Sequence, residues 1–568
     1  MISPTTQPTA ALTLAHTPPI VQGIPLVPIY ELSNKLRQVF PHDHFNAIQS
    51  RCFNPIYHSD ENIVVSAPTG SGKTALLELA ICRLAEQQRC DQFKIVYQAP
   101  IKSLCSERLR DWEKKFRHLN LTVAELTGDT SAKEMNMVGK ANIIVTTPEK
   151  WDSITRKWQD HDKLVEMVKL FLIDEVHILK DTRGATLEAV VSRMKTKNRN
   201  VRFVALSATV PNSQDVATWL GRTPTNNHLP AHVEIFGEEF RPVKLQKLVY
   251  GFDAKSVNDF MFDKMLDGKL PPLIAKHTAR KPVMVFCFTR KSCELTASKL
   301  AEWWTRQSPS ARAWPAPSRS EKLSNKQLQE LASCGVAFHH AGLDSGDRQA
   351  VEQAYLQGNI SVICCTSTLA MGINLPCHLI VLKGTVGFQD GTPRELADLE
   401  VMQMLGRAGR PQFDVSAVAL ILTRKEKEDY YRKMVSGQET LESTLHLNLV
   451  EHLNSEISLG TVRNFTTAKE WLNSTFFSVR MKKHPNHYKI TGVPDMGNTE
   501  EKLEHVCERD LKLLRLSKLI TQDNEFTCTP YGHAMSRYMI QFETMKTLLT
   551  IPYQAKTEEI VSILIHVS

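Results

Sequence analysis

Apolar positions along this chain change period several times, and each change marks an element. Residues 63–66 form a short unbroken apolar run, followed by a Gly-rich turn and then by Leu76, Leu77, Ala80, Ile81 and Leu84 at helical spacing. Strand, loop and helix are predicted in that order. A second buried-type run, Val168–Ile173, ends on two acidic residues, at the carboxyl edge where α/β sheets hold ligands. KPVMVFCFTR at 281–290 reads as a strand entering a loop, and SVICC reads as another strand containing Cys364 and Cys365. Beyond about 437 the period turns helical, with Leu445, Leu449, Leu453 and Ile457 four apart. The later run LSKLITQDNEFTCTPYG predicts a helix end and a two-stranded wing turning at Asp523–Asn524.

Length and composition narrow the possibilities. A chain of 568 residues is too long for one core and predicts three or four domains. With 42% hydrophobic and 23% charged residues it has an ordinary globular composition, and the excess of 69 basic over 61 acidic residues permits a polyanionic partner without demanding one. The twelve cysteines form no CxxC pair, which argues against a zinc ribbon and fits buried thiols in a reducing compartment. The opening MISPTTQPTAALTLAHTPP lacks a signal-peptide pattern and predicts a disordered tail over 1–28. The uncharged run 353–382 is too polar for a bilayer span, so no membrane segment is expected. FGEEFRPVK at 236–244 reads as a link, and the Pro/Ser-rich stretch 305–326 as a flexible, exposed insertion.

Two short motifs carry the chemistry. APTGSGKT at 67–74 sits between the predicted strand and helix, as a phosphate-binding loop requires. Ala67, Pro68, Thr69, Gly70, Ser71 and Gly72 form the loop, Lys73 can reach the β and γ oxygens, and the Thr74 hydroxyl can ligate Mg²⁺. In DEVH at 174–177, Asp174 is placed to share that Mg²⁺ with Thr74, and Glu175 to orient an attacking water. Thr392, Pro393 and Glu395 predict a capped helix start; that helix runs into Gly406 and presents Arg407 and Arg410 at its end.

With these motifs in this order, the chain resembles the Ski-like group of superfamily 2 DExH-box helicases from about residue 30 onwards. The resemblance rests on FNAIQS at 45–50, QAPIKSLCSER at 98–108, LTGD at 126–129, TTPEKWD at 146–152, SAT at 207–209, FHHAGLDSGDR at 338–348, TSTLAMGINLP at 366–376 and QMLGRAGR at 403–410. It implies that Gln49 reads the adenine and that Gly372 lies at the nucleotide. Pro100, Lys102, Thr147, Pro148, His340, Thr366 and Asn374 would contact the strand, while His177, Ser207 and Thr209 couple hydrolysis to domain movement. Gln403, Arg407 and Arg410 would complete the catalytic set with Lys73, Asp174 and Glu175, the arginines acting as fingers across the cleft.

The expected architecture is α/β: two tandem RecA-like P-loop motor domains, 29–242 and 243–436, then a winged-helix domain, 437–535, and the start of a helical ratchet domain, 536–568, apparently truncated. A strand-separating hairpin is expected from about Leu379–Thr392, turning at Asp390–Gly391. The implied activity is ATP- and Mg²⁺-dependent movement, 3′ to 5′, on single-stranded or branched DNA. TPEKWDSITRKW, LFLIDEVHILKD, VVSRMKT and GRAGRPQFD look most like meiotic DNA helicases that promote crossover formation, which implies the nucleus. RNA-directed relatives share TPEKWD and GRAGRPQFD, so a spliceosomal or RNA-surveillance helicase is the alternative, and a catalytically silent scaffold is a third.

Overall fold

The computed structural model describes residues 19–89, 92–128, 132–157, 162–197, 200–254, 257–367, 375, 377–389, 392–410, 413–491, 498–552, 554–558 and 561. Two parallel sheets with helices packed on their faces follow one another along the chain. The first has seven strands, ordered Val123–Leu126, Ile143–Thr146, Lys94–Gln98, Val168–Ile173, Arg202–Ser207, Ile63–Ser66 and His232–Ile235. Because helices cover both faces, Ile63–Ser66 and Ile143–Thr146 are buried at every position, which explains apolar runs that do not alternate. The second sheet has six parallel strands, ordered Lys244–Phe252, Ser416–Arg424, Leu379–Lys383, Val283–Phe286, Val362–Cys365 and Val336–His339. Cys364 and Cys365 lie within it, fully buried.

A helical third domain begins after residue 437, on helices Leu449–Ser458, Phe465–Asn473, Phe476–Lys483 and Thr499–Leu516. Leu445, Leu449, Leu453 and Ile457 all point into its core, as their spacing predicts. The wing is reduced to an isolated bridge between Ile520 and Cys528, because Gln522 to Glu525 only bend and never extend. This domain is fused to the first motor. Leu441 and Phe476 pack into the first motor's core, while Ala185 and Ala189 of the first motor pack into the helical core. Buried Arg193 of the first motor holds both Asp152, at 2.8 Å, and Glu456 of the helical domain, at 2.7 Å.

Three local expectations are corrected. Residues 19–28 are ordered against the first motor: Val27 donates its amide to Ser50 Oγ at 2.9 Å, and Phe45 donates to the Val27 carbonyl. The Pro/Ser-rich insertion folds back instead of hanging free. Trp314 is completely buried, its indole donating to the Cys334 carbonyl at 2.9 Å, and Arg312 stacks on Trp304 at 3.8 Å. Thr392, Pro393 and Glu395 are strand, not helix cap. Val386–Gln389 pairs antiparallel with Thr392–Glu395, so a hairpin forms over 386–395 rather than from Leu379, whose strand Leu379–Lys383 belongs to the second sheet, and the helix begins later, at Asp398, with Glu400 accepting from the Ala397 amide at 2.9 Å. The hairpin's expected turn at Asp390–Gly391 and residues 559–560 and 562–568 of the expected ratchet start lie outside the described residues. Among the described residues, no helix is long and apolar enough to cross a membrane.

Candidate nucleotide site between the motor domains

Strand Ile63–Ser66 delivers the loop 67–73 to the start of helix Thr74–Gln87, so the first helical amides face the loop's concavity. Gly70 and Gly72 have φ of +78° and +83°; a Cβ on Gly72 would stand 2.9 Å from both Asn46 Nδ2 and Gln49 Nε2. Only glycine fits there. Ser71 Oγ closes the loop on the Pro68 carbonyl at 2.7 Å. Lys73 is buried, its ammonium donating to the carbonyls of Ala67 at 2.7 Å and Pro68 at 3.0 Å. Gln49 accepts from the Asn46 amide and donates to the Gly72 carbonyl at 3.0 Å, so here it braces the loop.

Strand Val168–Ile173 brings Asp174 and Glu175 to the same edge, opposite Lys73. Tyr97 OH donates to Asp174 Oδ2 at 2.8 Å, and the Glu175 amide to Asp174 Oδ1 at 3.1 Å. Burial raises both carboxyls above their ordinary values and lowers the Lys73 ammonium, while Glu175 and Asp174 pull Lys73 back up. Glu175 occupies the left-handed region, φ 55°, a strained conformation for a residue with a Cβ. His177 Nδ1 lies 3.4 Å from Glu175 Oε2 and 3.3 Å from the Ala208 amide, linking DEVH to SAT. Burial holds that imidazole at about 3, so it is neutral at physiological pH. Ala67 in turn donates its amide to the Ser207 carbonyl at 3.1 Å.

Motor two closes the site with Gln403, Gly406, Arg407, Ala408 and Gly409, which line a cleft of about 460 Å³ together with Thr69, Gly70, Gly72, Lys73, Thr74, Asp174 and Glu175. His177 Nε2, Ser207 Oγ, Thr209 Oγ1 and Gln403 Nε2 are buried without hydrogen-bond partners among the described residues. The Thr74 hydroxyl and the Asp174 carboxylate, whose oxygens each accept a single hydrogen bond, are hard oxygen donors suited to Mg²⁺.

Arg410 departs from the expected picture. It lies outside the residues that line the cleft and binds Asp414 on its own lobe, whereas Arg407 lines the cleft. Arg241, Arg108 and Glu107 also line the cleft and were not legible as site residues. Arg241 belongs to the FRPVK link, where an arginine between two domains, with no acidic neighbour on its carboxyl side, is the signal that could have found it.

The expected strand contacts fall at strand ends. Pro100 and Lys102 follow Lys94–Gln98, and Thr147 and Pro148 follow Ile143–Thr146, at the edge that also carries the nucleotide loop. His340 and Thr366 follow Val336–His339 and Val362–Cys365 in motor two. His340 is stacked on Phe338, with centroids 5.5 Å apart. Gly372 and Asn374 lie outside the described residues.

Known proteins resemble the chain in the same three parts. Residues 46–216 match the DEAD/DEAH box helicase family, 267–412 the helicase conserved C-terminal domain, and 442–524 a winged helix-turn-helix domain. The ATP-dependent DNA helicase MER3 of Saccharomyces cerevisiae is 45% identical over 91% of this chain and 43% of its own length. The probable ATP-dependent DNA helicase HFM1 of Homo sapiens is 42% identical over 94% of this chain and 38% of its own. Activating signal cointegrator 1 complex subunit 3 of Homo sapiens is 35% identical over 95% of this chain and 25% of its own. The chain therefore spans less than half the length of these relatives. The solved DUF1998 helicase MrfA bound to DNA shares the fold, with a TM-score of 0.59 at 16% identity over 91% of this chain and 62% of that one. The ordered motifs, the paired sheets with their shared cleft and these matches agree: the chain carries a DEAD/DEAH box helicase domain and a helicase conserved C-terminal domain in tandem, and is similar to the MER3 and HFM1 ATP-dependent DNA helicases over most of its length.

Proposed function

We propose that this chain is an ATP-driven motor that moves 3′ to 5′ along single-stranded DNA, acts on branched DNA, and serves meiotic recombination and crossover formation in the nucleus. The observation that carries the reading is the cleft in which Lys73, Thr74, Asp174 and Glu175 of one lobe face Gln403 and Arg407 of the other. The DNA assignment draws on the names of the MER3 and HFM1 relatives.

Lys73 holds the β and γ phosphates once it leaves the Ala67 and Pro68 carbonyls, and the loop amides cradle the rest. Thr74 and Asp174 would hold a Mg²⁺, which would offset phosphate charge. Glu175 orients the attacking water, and its buried, strained position points it at one spot. Arg407 meets the phosphates from the second lobe, so the closed arrangement is favoured while the γ-phosphate is present and weakened when it leaves. His177 passes that change to Ala208. Pro100, Lys102, Thr147, Pro148, His340 and Thr366 grip phosphate and sugar, which gives little sequence preference.

ATP turnover measured with single-stranded DNA and with RNA of the same sequence tests the substrate. Stimulation by DNA at least as strong as by RNA is expected. Stimulation by RNA alone overturns the DNA assignment and leaves the motor reading standing.

A further inference from the structure

Arg241 lies in the link between the last strand of motor one, His232–Ile235, and the first strand of motor two, Lys244–Phe252. Its guanidinium donates to carbonyls from three segments: Val243 in the link at 3.0 Å, Thr69 in the nucleotide loop at 2.6 Å, and Ala408 at 2.8 Å and Gly406 at 3.5 Å beside Arg407. Thr69 belongs to one motor, Gly406 and Ala408 to the other. One planar group thus joins both walls of the cleft. Among the described residues all four acceptors are carbonyls and none is a carboxylate; the nearby Glu238 is paired with Lys247 at 3.0 Å. At 8% exposure, Arg241 is a buried cation whose charge is met by backbone dipoles.

Packing at the same point leaves no slack. A Cβ on Gly406 would come within 2.6 Å of Thr69 Cγ2, and one on Gly409 within 2.9 Å of Val243 Cβ. The segment that carries Arg407 therefore lies directly on the nucleotide loop and on the link, and Arg241 is the group that hydrogen-bonds all three.

We propose that Arg241 is a positioning residue for nucleotide turnover: it fixes the spacing between the Thr69 loop and the Gly406–Ala408 segment, and so the place at which Arg407 meets the phosphates. The proposal rests on the ATPase reading above. It deepens that reading by giving the link a part in the chemistry. Arginine suits the part because its rigid fork carries five donors, enough to serve several carbonyls at once; a lysine keeps the charge but presents it as a point with a flexible stem. A small misplacement of a group facing a reacting phosphate costs on the order of 10²-fold in rate. Nucleotide affinity, which depends on the loop amides and Lys73, is expected to change far less.

The test uses the whole chain with Arg241→Met and Arg241→Lys. Spin labels on bio-orthogonal side chains at exposed Lys114, on motor one, and exposed Lys276, on motor two, report the distance between the lobes without nucleotide. Both variants are expected to broaden that distance distribution, to keep KM for ATP near the wild-type value and to lose ~10²-fold in kcat, while still melting cooperatively. Should Arg241→Met not fold, Arg241→Lys decides alone. Unchanged distances, or full turnover in Arg241→Lys, overturn the proposal. A wild-type chain without ATP turnover refutes the motor reading instead, and the interlobe distances still judge Arg241.

Discussion

Arg410 and Asp414 form a two-point clasp, Nε to Oδ2 at 2.8 Å and Nη2 to Oδ1 at 3.1 Å, with the Asp414 side chain wholly shielded from solvent. Lys281 adds a third contact to Asp414 at 2.9 Å. Burial alone would raise the Asp414 carboxyl, but the hydrogen bonds from Arg410 and Lys281 bring it down to about 2. An arginine expected to act across the cleft is thus held by its own lobe, and must exchange a carboxylate for a phosphate to reach the nucleotide.

Arg410→Ala is expected to bind ATP but lose ~10³-fold in turnover, with Arg410→Lys a poor rescue because lysine lacks the fork. Asp414→Asn releases the clasp and is expected to raise turnover in the absence of strand. Steady-state ATPase with and without DNA checks both. Wild-type hydrolysis in Arg410→Ala would show that Arg410 only neutralises Asp414.

Lys73→Ala and Glu175→Gln are expected to fail differently. Lys73→Ala loses nucleotide affinity, since its ammonium is the cation on the loop. Glu175→Gln binds ATP nearly as before and turns over at least ~10²-fold more slowly, the scale of a lost positioned base. Equilibrium binding of a fluorescent nucleotide beside turnover separates the two. Near wild-type turnover in both variants would sink the site.

Glu188 gives a pH signature at the junction of the first motor and the winged helix. Burial pushes its carboxyl up from 4.5 to about 7, against hydrogen bonds from Ser443 Oγ at 2.6 Å and the Phe477 amide at 2.6 Å. Between those pH values the folded protein keeps a proton that the unfolded chain has released, so rising pH weakens folding, by roughly 3 kcal/mol across the window. Glu188→Gln is expected to flatten the urea midpoint between pH 5 and 8 relative to wild type. Parallel pH profiles for the two proteins would count against this assignment.

Phe388 on the hairpin Val386–Gln389 meets Phe288 and Phe260 at centroid distances of 6.1 and 6.4 Å, yet it is 49% exposed. Phe388→Ala is expected to keep strand-stimulated turnover and to displace fewer strands per ATP from a duplex with a 3′ tail. Equal displacement per ATP in both proteins would remove the hairpin from the unwinding step.

Much of the site was legible because its geometry is local. Gly70, Gly72, Lys73 and Thr74 are placed by one strand and one helix, so their spacing already implied the loop. Asp174 and Glu175 needed only a buried strand ending where it does. Arg241 was not legible, since its partners Thr69 and Gly406 stand 172 and 165 positions away and are backbone atoms that any residue supplies. Trp314 was misread because Pro and Ser around it suggested exposure, whereas a large indole inside such a stretch is itself a sign of an anchor. The cap at Thr392 failed through competition: pairing with Val386–Gln389 claims Thr392–Glu395, and the helix waits for Ala397 and Glu400.

The shared core between the first motor and the winged helix also sets the frame in which movement is observed. Arg193, clamped between Asp152 and Glu456, and Arg480, bonded to both Asp215 and Glu442, tie those two domains together through buried ion pairs. A fluorophore on the winged helix therefore travels with the nucleotide loop and reports the trajectory of the chassis. A fluorophore on motor two reports the stroke. If the proposed motor reading holds, the difference between the two records, taken on one molecule, separates the movement of one lobe against the other from net progress along the strand.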